Sequence, residues 1–294
     1  MNVLGPDRNF LGIQDHYSWH EAEVVVLPVP LEATTSYLTG TVGGAEALIK
    51  ASQEVEFYDE ELQTETYLQG IATLPPLDFS GCDHQRALDL VADRTAQILN
   101  AQKKPLLIGG EHSLSIGAAR AFFNLHSDLH VLHLDAHADL RDSYQNSPDN
   151  HACVMARIRE MCSFTSIGIR SLSGEEAETI RKGLLNVWDI HQIRRTKDWI
   201  SQVIESIKSP VYVTLDLDVF DPAVIPNVGT PEPGGLGWQE LLAFLRQIFQ
   251  THTVVGLDMV ELCPSAGPSY GVFNAAKLAY RLIGYWLQAN KNQD

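Results

Sequence analysis

The stretch from Val131 to Asp142, VLHLDAHADLRD, constrains the fold more than any other part of the chain. Its apolar beginning predicts a strand, and Asp135, His137 and Asp139 follow at every second position. In extended backbone, side chains two residues apart leave the same face. Two carboxylates and an imidazole at the end of a hydrophobic strand lose solvation and repel one another, a cost that a divalent cation removes. The stretch therefore predicts a metal site.

One such string also fits a polar strand exit whose acids are simply solvated, because short motifs occur by chance. Two further strings favour the metal site. VYVTLDLDVFDP, from Val211 to Pro222, is an apolar run that leads to Asp216 and Asp218. PLLIGGEHSL, from Pro105 to Leu114, ends a strand in two glycines and then presents a glutamate and His112. Three strand ends with the same kind of ligand argue against chance.

Regular alternation of predicted strands and helices determines the fold class. Strands are predicted over 23–30, 105–108, 129–134, 165–169, 186–188, 211–215 and 254–259. Helices are predicted over 114–125, 157–161, 197–207, 238–249 and 275–289. Three further helices are predicted to begin at 45, 83 and 173. The segment 58–79 reads as irregular with one edge strand. Such alternation predicts a single domain over 1–294, with helices on both faces of a doubly wound, mostly parallel sheet. Ligands of such sheets bind beyond the carboxyl ends of the strands, where all three motifs lie.

Composition sets broader limits. The 294 residues are 45% hydrophobic and carry a formal charge of −16, which disfavours nucleic acid and anionic membranes as partners and favours small cations. Taken alone, an acidic surface is better explained by the solubility that any cytosolic protein needs, so the charge is only a supporting argument. The four cysteines show no C-x-x-C spacing, and the first residues lack the basic and apolar regions of a signal peptide. We expect a reduced, cytoplasmic protein without a membrane-spanning segment.

The number of candidate ligands predicts two metal ions. Four carboxylates and two imidazoles exceed the three protein ligands typical of a catalytic zinc. A mixed oxygen and nitrogen set suits manganese, although it does not separate manganese from nickel or cobalt. Paired divalent ions activate water, and we therefore expect a hydrolase.

Four ordered motifs give a resemblance to a known family. They are GGEHSL at 109–114, LDAHADLRD at 134–142, LDLDVFDPAVIPNVGTPEPGG at 215–235 and VELCP at 260–264. Together they resemble the ureohydrolase (arginase/agmatinase) family, and agmatinases most of all, over most of the chain. The resemblance implies a three-layer α/β/α fold and a homo-oligomer, commonly a trimer or hexamer.

The resemblance also implies roles for individual residues. Two Mn²⁺ ions per subunit would be held by one set, His112, Asp135, Asp139 and Asp216, and by a second set, Asp135, His137, Asp216 and Asp218. Glu261 matches the glutamate that receives the substrate's guanidinium, and a carboxylate suits that planar cation. His151 matches the histidine that protonates the departing amine, a task suited to a side chain that exchanges protons near neutral pH. Asp139 would also stabilise the tetrahedral intermediate. His126, His133 and His252 are assigned no function.

The loop after the first metal strand, LRDSYQNSPDNHACVM, resembles that of agmatinases and lacks the Asn/Ser-rich arginase pattern that recognises an α-amino acid head. It implies hydrolysis of agmatine to putrescine and urea. Cys263 replaces a small hydroxyl residue, and 265–274 does not match the family pattern. Guanidinobutyrate, guanidinopropionate and arginine therefore stay as alternative substrates.

Other functional classes have less support. A deacetylase-like hydrolase of the same fold uses one zinc and lacks the motif around Glu261. A regulatory homologue without turnover would have lost a ligand or the proton shuttle, and a manganese phosphoesterase would need a basic phosphate clamp.

Overall fold

Eight parallel strands form the central sheet in the computed structural model, which describes residues 1–291 and side chains through residue 289. In chain order the strands are β1 (Val24–Val29), β2 (Tyr58–Asp59), β3 (Thr64–Glu65), β4 (Ile71–Thr73), β5 (Lys104–Gly109), β6 (His130–Leu134), β7 (Ser163–Ile169), β8 (Val187–Asp189), β9 (Val211–Asp216) and β10 (Val254–Val260). The short β2 and β3 pair as a separate antiparallel hairpin. The other strands are ordered β4-β1-β5-β10-β9-β6-β7-β8. The predicted single domain, 1–294, includes three residues beyond those that the structure describes.

Helices cover both faces of this sheet. They are α1 (Gly44–Ser52), α2 (His84–Asn100), α3 (Leu114–Leu125), α4 (Val154–Ile158), α5 (Gly174–Gly183), α6 (Ile190–Arg195), α7 (Trp199–Ser206), α8 (Trp238–Thr251) and α9 (Ser269–Lys291). Side chains of α1 and α6 to α9 pack in one buried apolar cluster, whereas those of α2 to α5 pack in another. Within β1, Val24 and Val26 belong to the first cluster and Val25 and Leu27 to the second. The alternation of strand side chains thus produces the predicted three-layer arrangement.

Local signals in the sequence account for several element boundaries. Asp83 accepts a hydrogen bond from the backbone N–H of Arg86 at 2.8 Å and caps α2, as its residue type predicts. Ser173 and Glu176 form the predicted capping box at the start of α5. Both caps provide acceptors for backbone N–H groups that have no partner within the first turn of a helix.

Some boundaries differ from the prediction. The helix α6 was not predicted, although Asp189 caps it by accepting from the N–H of Gln192 at 2.8 Å. The last helix begins at Ser269, six residues before the predicted 275, because Gly271 in its first turn hides the helical pattern. The edge strand predicted within 58–79 is β4, at the end of the sheet.

Strand order brings the motif-bearing strands together. β5, β10, β9 and β6 are consecutive neighbours at the centre of the sheet, and all are parallel. The carboxyl ends of these four strands therefore lie at one edge of the sheet. Each strand leads into one motif there: GGEHSL after β5, VELCP after β10, LDLD at the end of β9 and LDAHAD after β6. Among residues 1–291, no helix is long and apolar enough to cross a membrane.

Candidate metal centre and active site

His112 lies at the centre of a first group of carboxylates. Its Nδ1 is 3.0 Å from Oδ2 of Asp135, 3.2 Å from Oδ2 of Asp139 and 3.4 Å from Oδ2 of Asp216. All four side chains are buried. Within the described residues, this Nδ1 is a buried nitrogen for which no hydrogen bond of acceptable geometry exists. A nitrogen with no hydrogen-bond partner that faces three carboxylate oxygens fits a divalent cation, which would take all of them as ligands.

The other nitrogen of His112 explains why Nδ1 faces the carboxylates. Nε2 lies 2.9 Å from Oγ1 of Thr214, and that hydroxyl donates to Oδ1 of the buried Asp258 at 2.9 Å. With its one hydrogen given to the carboxylate, Thr214 accepts from the imidazole, so Nε2 carries the proton. The lone pair is then on Nδ1. A second hydrogen-bonded shell of this kind is typical of histidines that bind metals.

A second group shares one residue with the first. Nδ1 of His137 is 2.9 Å from Oδ2 of Asp218 and 3.4 Å from Oδ1 of Asp135. Asp135 therefore turns one oxygen towards each histidine. Oδ1 of Asp216 accepts from the backbone N–H of Asp218 at 2.9 Å, so the described contacts place Asp216 with His112. Two adjacent cation sites with Asp135 between them fit this geometry.

The backbone conformation that brings Asp135, His137 and Asp139 together differs from the predicted one. The strand β6 ends at Leu134; beyond it, His137 forms an isolated parallel bridge with Ser171, and Asp135 and Asp139 lie in irregular backbone. Asp139 has φ +50°, in the left-handed region. The three side chains thus come from an interrupted strand with a left-handed residue at Asp139, whereas the prediction assumed a continuous extended strand.

His133, which was assigned no function, also lies at this site. It is fully buried, its Nε2 is 2.9 Å from Oδ2 of Asp135, and its Nδ1 is 2.9 Å from Oγ of Ser166. The sequence did contain a signal for it, because residue 133 is on the same alternating series as 135, 137 and 139. His133 thus holds the carboxylate that the two groups share.

Charges in the cluster are only partly balanced by the protein itself. Burial raises the pKa of Asp216 well above its usual value, and the negative charges of Asp218 and Asp135 raise it further. The pKa of Asp218 is also raised, first by burial and then by Asp135. In contrast, the pKa of Asp135 is well below its usual value because close contacts with His112 and His133 outweigh its burial. Buried acids that repel one another in this way are stabilised by cations.

Glu261 stands directly after β10 and faces the same cavity. Its side chain is 6% exposed, and Oε1 accepts from the backbone N–H of His112 at 2.6 Å. Burial, followed by the charge of Glu111, raises the pKa of Glu261 to about 8. Its φ of +64° turns the side chain back over the strand end. A buried carboxylate beside the cluster is suited to a cationic group.

His151 lines the same cavity and lies at the start of the polar loop's short helical turn. The cavity between these groups has a volume of about 230 Å³, and its walls include His137, Asp139, His151 and Glu261. The predicted ligands, the predicted guanidinium anchor and the predicted proton donor are therefore brought to one cavity or its immediate wall. Cys263, whose Sγ lies 3.3 Å from the carbonyl oxygen of Thr39, is not among the residues that line it.

Comparisons with known proteins agree with this geometry. Residues 22–284 match the model of the Arginase family. The chain is 42% identical to N(1)-aminopropylagmatine ureohydrolase from Synechocystis sp., over 98% of this chain and 97% of that protein. It is 36% identical to agmatinase from Bacillus anthracis, over 86% and 87% of the two chains. The crystal structure of agmatine ureohydrolase of Thermoplasma volcanium superimposes with a TM-score of 0.85 at 31% identity, covering 94% of each chain. The chain therefore belongs to the arginase family of ureohydrolases and is an enzyme that hydrolyses guanidino compounds.

Proposed function

We propose that this enzyme hydrolyses the guanidinium group of N(1)-aminopropylagmatine, with agmatine as a second candidate substrate. The observation that carries the proposal is one cavity lined both by a buried carboxylate, Glu261, and by residues of a His/Asp cluster that fits two cations. The substrate is supported by the 42% identity to a ureohydrolase of that name over almost the whole chain. Agmatine is supported by the 36% identity to an agmatinase and by the loop at 140–155.

The residues that would hold the two cations are the predicted ones. His112, Asp135, Asp139 and Asp216 would hold one, and Asp135, His137, Asp216 and Asp218 the other. We propose manganese because carboxylate oxygens outnumber imidazole nitrogens in this set. Such ions lower the pKa of water and thereby supply a nucleophile at neutral pH.

The side chains of the chain itself bind and orient the substrate. Glu261 would accept hydrogen bonds from the guanidinium nitrogens and hold the planar group against the cluster. Water adds to the guanidinium carbon and gives up one proton, which His151 takes up, and Asp139 stabilises the tetrahedral intermediate. His151 then donates a proton to the alkyl nitrogen as its bond to the carbon breaks. Urea leaves with putrescine when the substrate is agmatine, and with spermidine when it is the aminopropyl derivative.

A panel of guanidines tests the proposal. Urea release is measured with N(1)-aminopropylagmatine, agmatine, guanidinobutyrate, guanidinopropionate and arginine, each with Mn²⁺, Ni²⁺, Co²⁺ or chelator. We expect the largest kcat/KM for N(1)-aminopropylagmatine with Mn²⁺, and little activity with arginine. A larger kcat/KM for agmatine would make the second candidate the substrate. Preference for arginine or for an ω-guanidino acid would reject both, and the absence of urea from all five would reject the hydrolase.

The remaining properties are proposals as well. The charge of −16 fits a small cationic substrate and no nucleic acid or membrane partner. Four free cysteines fit the cytoplasm. We further propose one domain over 1–294 and a homo-oligomer, a trimer or hexamer. Sedimentation equilibrium measures the number of subunits, and a monomer at micromolar concentration would contradict this assembly.

A further inference from the structure

Glu111, next to the candidate ligand His112, anchors the loop at 30–40, in which Ser36 lines the cavity. It is fully buried, and its Oε2 accepts from the backbone N–H groups of Ala33 and Thr34, each at 2.6 Å. Its Oε1 accepts from the hydroxyls of Thr34 at 2.7 Å and Ser113 at 2.5 Å. Three of these four hydrogen bonds come from Ala33 and Thr34 and hold this loop in place. The missing side chain of Gly110 makes room, because a Cβ there would lie 1.9 Å from the carbonyl oxygen of Leu31.

The same loop contacts both ring nitrogens of His151. Oγ1 of Thr34 lies 3.2 Å from Nδ1 and also accepts from the backbone N–H of His151 at 2.9 Å. Oγ of Ser36 lies 3.3 Å from Nε2. The proton donor of the proposed reaction is thus attached to the loop by its backbone and by its ring.

The direction of these hydrogen bonds follows from the number of available protons. A hydroxyl has one hydrogen to donate, and an ionised carboxylate only accepts. Thr34 gives its hydrogen to Glu111 at 2.7 Å, so towards Nδ1 of His151 it can only accept. Nδ1 must then carry the proton of the neutral ring, and Nε2 has the lone pair. The Ser36 hydroxyl, which is able to donate to Nε2, agrees with this tautomer.

We propose that Thr34, held by Glu111, is a positioning residue that sets the tautomer and the orientation of His151. The consequence for the reaction is that Nε2 takes up and delivers the proton, while Nδ1 stays bonded to Thr34. This inference rests on the proposed role of His151 in guanidine hydrolysis. It goes beyond that role, because it names the residues that determine which ring nitrogen acts.

Kinetics of two substitutions at Thr34 test the proposal. Thr34→Val keeps the shape of the side chain but removes the hydroxyl, and Thr34→Ser restores it. We expect kcat for Thr34→Val to fall by about 10-fold or more, with KM and metal content nearly unchanged, and Thr34→Ser to recover most of the loss. Thr35→Val is the matched control, because the Thr35 side chain makes no hydrogen bond within residues 1–291 and does not line the cavity. Thermal unfolding checks that each variant is folded.

A double-mutant cycle separates positioning from a general structural effect. If Thr34 acts through His151, Thr34→Val should change the residual rate of His151→Phe by less than about 2-fold. An equal loss of rate in both backgrounds, or a fully active Thr34→Val, would overturn the proposal.

A spectroscopic measurement does not depend on turnover. Two-bond ¹H–¹⁵N spectra of protein with ¹⁵N-labelled histidines report the tautomer, and His151 is assigned by its absence from His151→Gln. The protein is prepared with Mg²⁺ so that no paramagnetic ion broadens the signals. We expect the Nδ1–H form in the wild type and a different or mixed population in Thr34→Val. If His151 of the wild type carries its proton on Nε2, the inference is overturned, even if the enzyme hydrolyses every guanidine tested. If the wild type releases no urea but His151 carries its proton on Nδ1, only the proposed function is rejected.

Discussion

At the scale of single residues, the two oxygens of Asp135 explain most of the site. Oδ2 lies 3.0 Å from Nδ1 of His112 and 2.9 Å from Nε2 of His133, and Oδ1 lies 3.4 Å from Nδ1 of His137. Asp135 therefore offers one oxygen to each of the two candidate cation sites. Replacing it changes the charge of the cluster as well as one ligand.

The first prediction concerns this shared carboxylate. Asp135→Asn should lower metal content from about two ions per subunit to one or fewer and reduce kcat/KM by about 100-fold or more, because the amide is a neutral and weaker ligand. Metal analysis after gel filtration and a urea assay measure the two effects. Asp142→Asn, at an exposed carboxylate in the next loop, serves as the control. Two ions and full turnover in Asp135→Asn would contradict the dinuclear site.

The second prediction concerns the guanidinium anchor. Glu261→Gln keeps an oxygen for the N–H of His112 but cannot ionise to pair with the guanidinium, so KM for the guanidine should rise about 10- to 100-fold, as expected for a charged hydrogen bond. Metal content should not change. Unchanged kinetics in this variant would show that the guanidinium binds elsewhere.

At the scale of elements, the start of β6 contains a buried histidine outside the site. His130 is 3% exposed, with Nδ1 at 2.9 Å from Oγ of Ser163 and Nε2 at 2.9 Å from Oγ1 of Thr165, both on β7. Burial, and then the positive charges of His252 and Lys208, lower its pKa to about 4. The ring therefore links two strands in its neutral form.

The third prediction gives the sign of a pH effect at this element. In the unfolded chain a histidine takes up a proton near pH 6.5, whereas folded His130 does so only near pH 4. The unfolded state binds more protons between these values, so stability falls as the pH falls through this window and is constant above it. Between pH 7.5 and 5, the free energy of unfolding should fall by about 2 kcal/mol more in the wild type than in His130→Gln. Urea titrations at the two pH values measure it.

The exposed His20 provides the control for that measurement. His20→Gln should lose as much stability as the wild type over the same pH range. An equal loss in wild type and His130→Gln would show that His130 is already protonated in the folded protein at pH 5.

At the scale of the whole molecule, the site joins strands from both halves of the sheet. β5 and β10 lie on one side and β9 and β6 on the other, and His112 on the loop after β5 meets carboxylates that follow β6 and end β9. A cation bound here by the folded chain would link these strands. Ligands that bind only the folded state stabilise it by mass action.

The fourth prediction follows from this linkage. Removing metal with a chelator should lower the Tm by about 5 °C, and Mn²⁺ at 100 times its Kd should restore it, since that excess contributes about 2.7 kcal/mol. Differential scanning calorimetry measures the shift. Asp135→Asn is the matched variant and should respond much less. A Tm that is the same with and without Mn²⁺ in the wild type would contradict a cation that links the strands.

Residue types at strand ends were predictable because they depend on local sequence. The ligands are all at the end of an apolar strand or within five residues after it: His112, Asp135, His137, Asp139, Asp216 and Asp218. Most strand positions were predicted within two residues. His133 and Thr34 were not recognised. The first looks like part of the apolar strand, and the second lies in a loop distant in sequence from His151.

The sequence by itself thus determined the alternation of strands and helices, the three-layer fold and the kinds of ligand at the carboxyl edge. Only the tertiary structure decided that β5, β10, β9 and β6 are neighbours, that Asp135 turns one oxygen to each histidine, and that Thr34 contacts Nδ1 of His151. The physical reason is that strand order and hydrogen-bond direction depend on contacts between residues far apart in the chain, whereas periodicity and capping depend on neighbours.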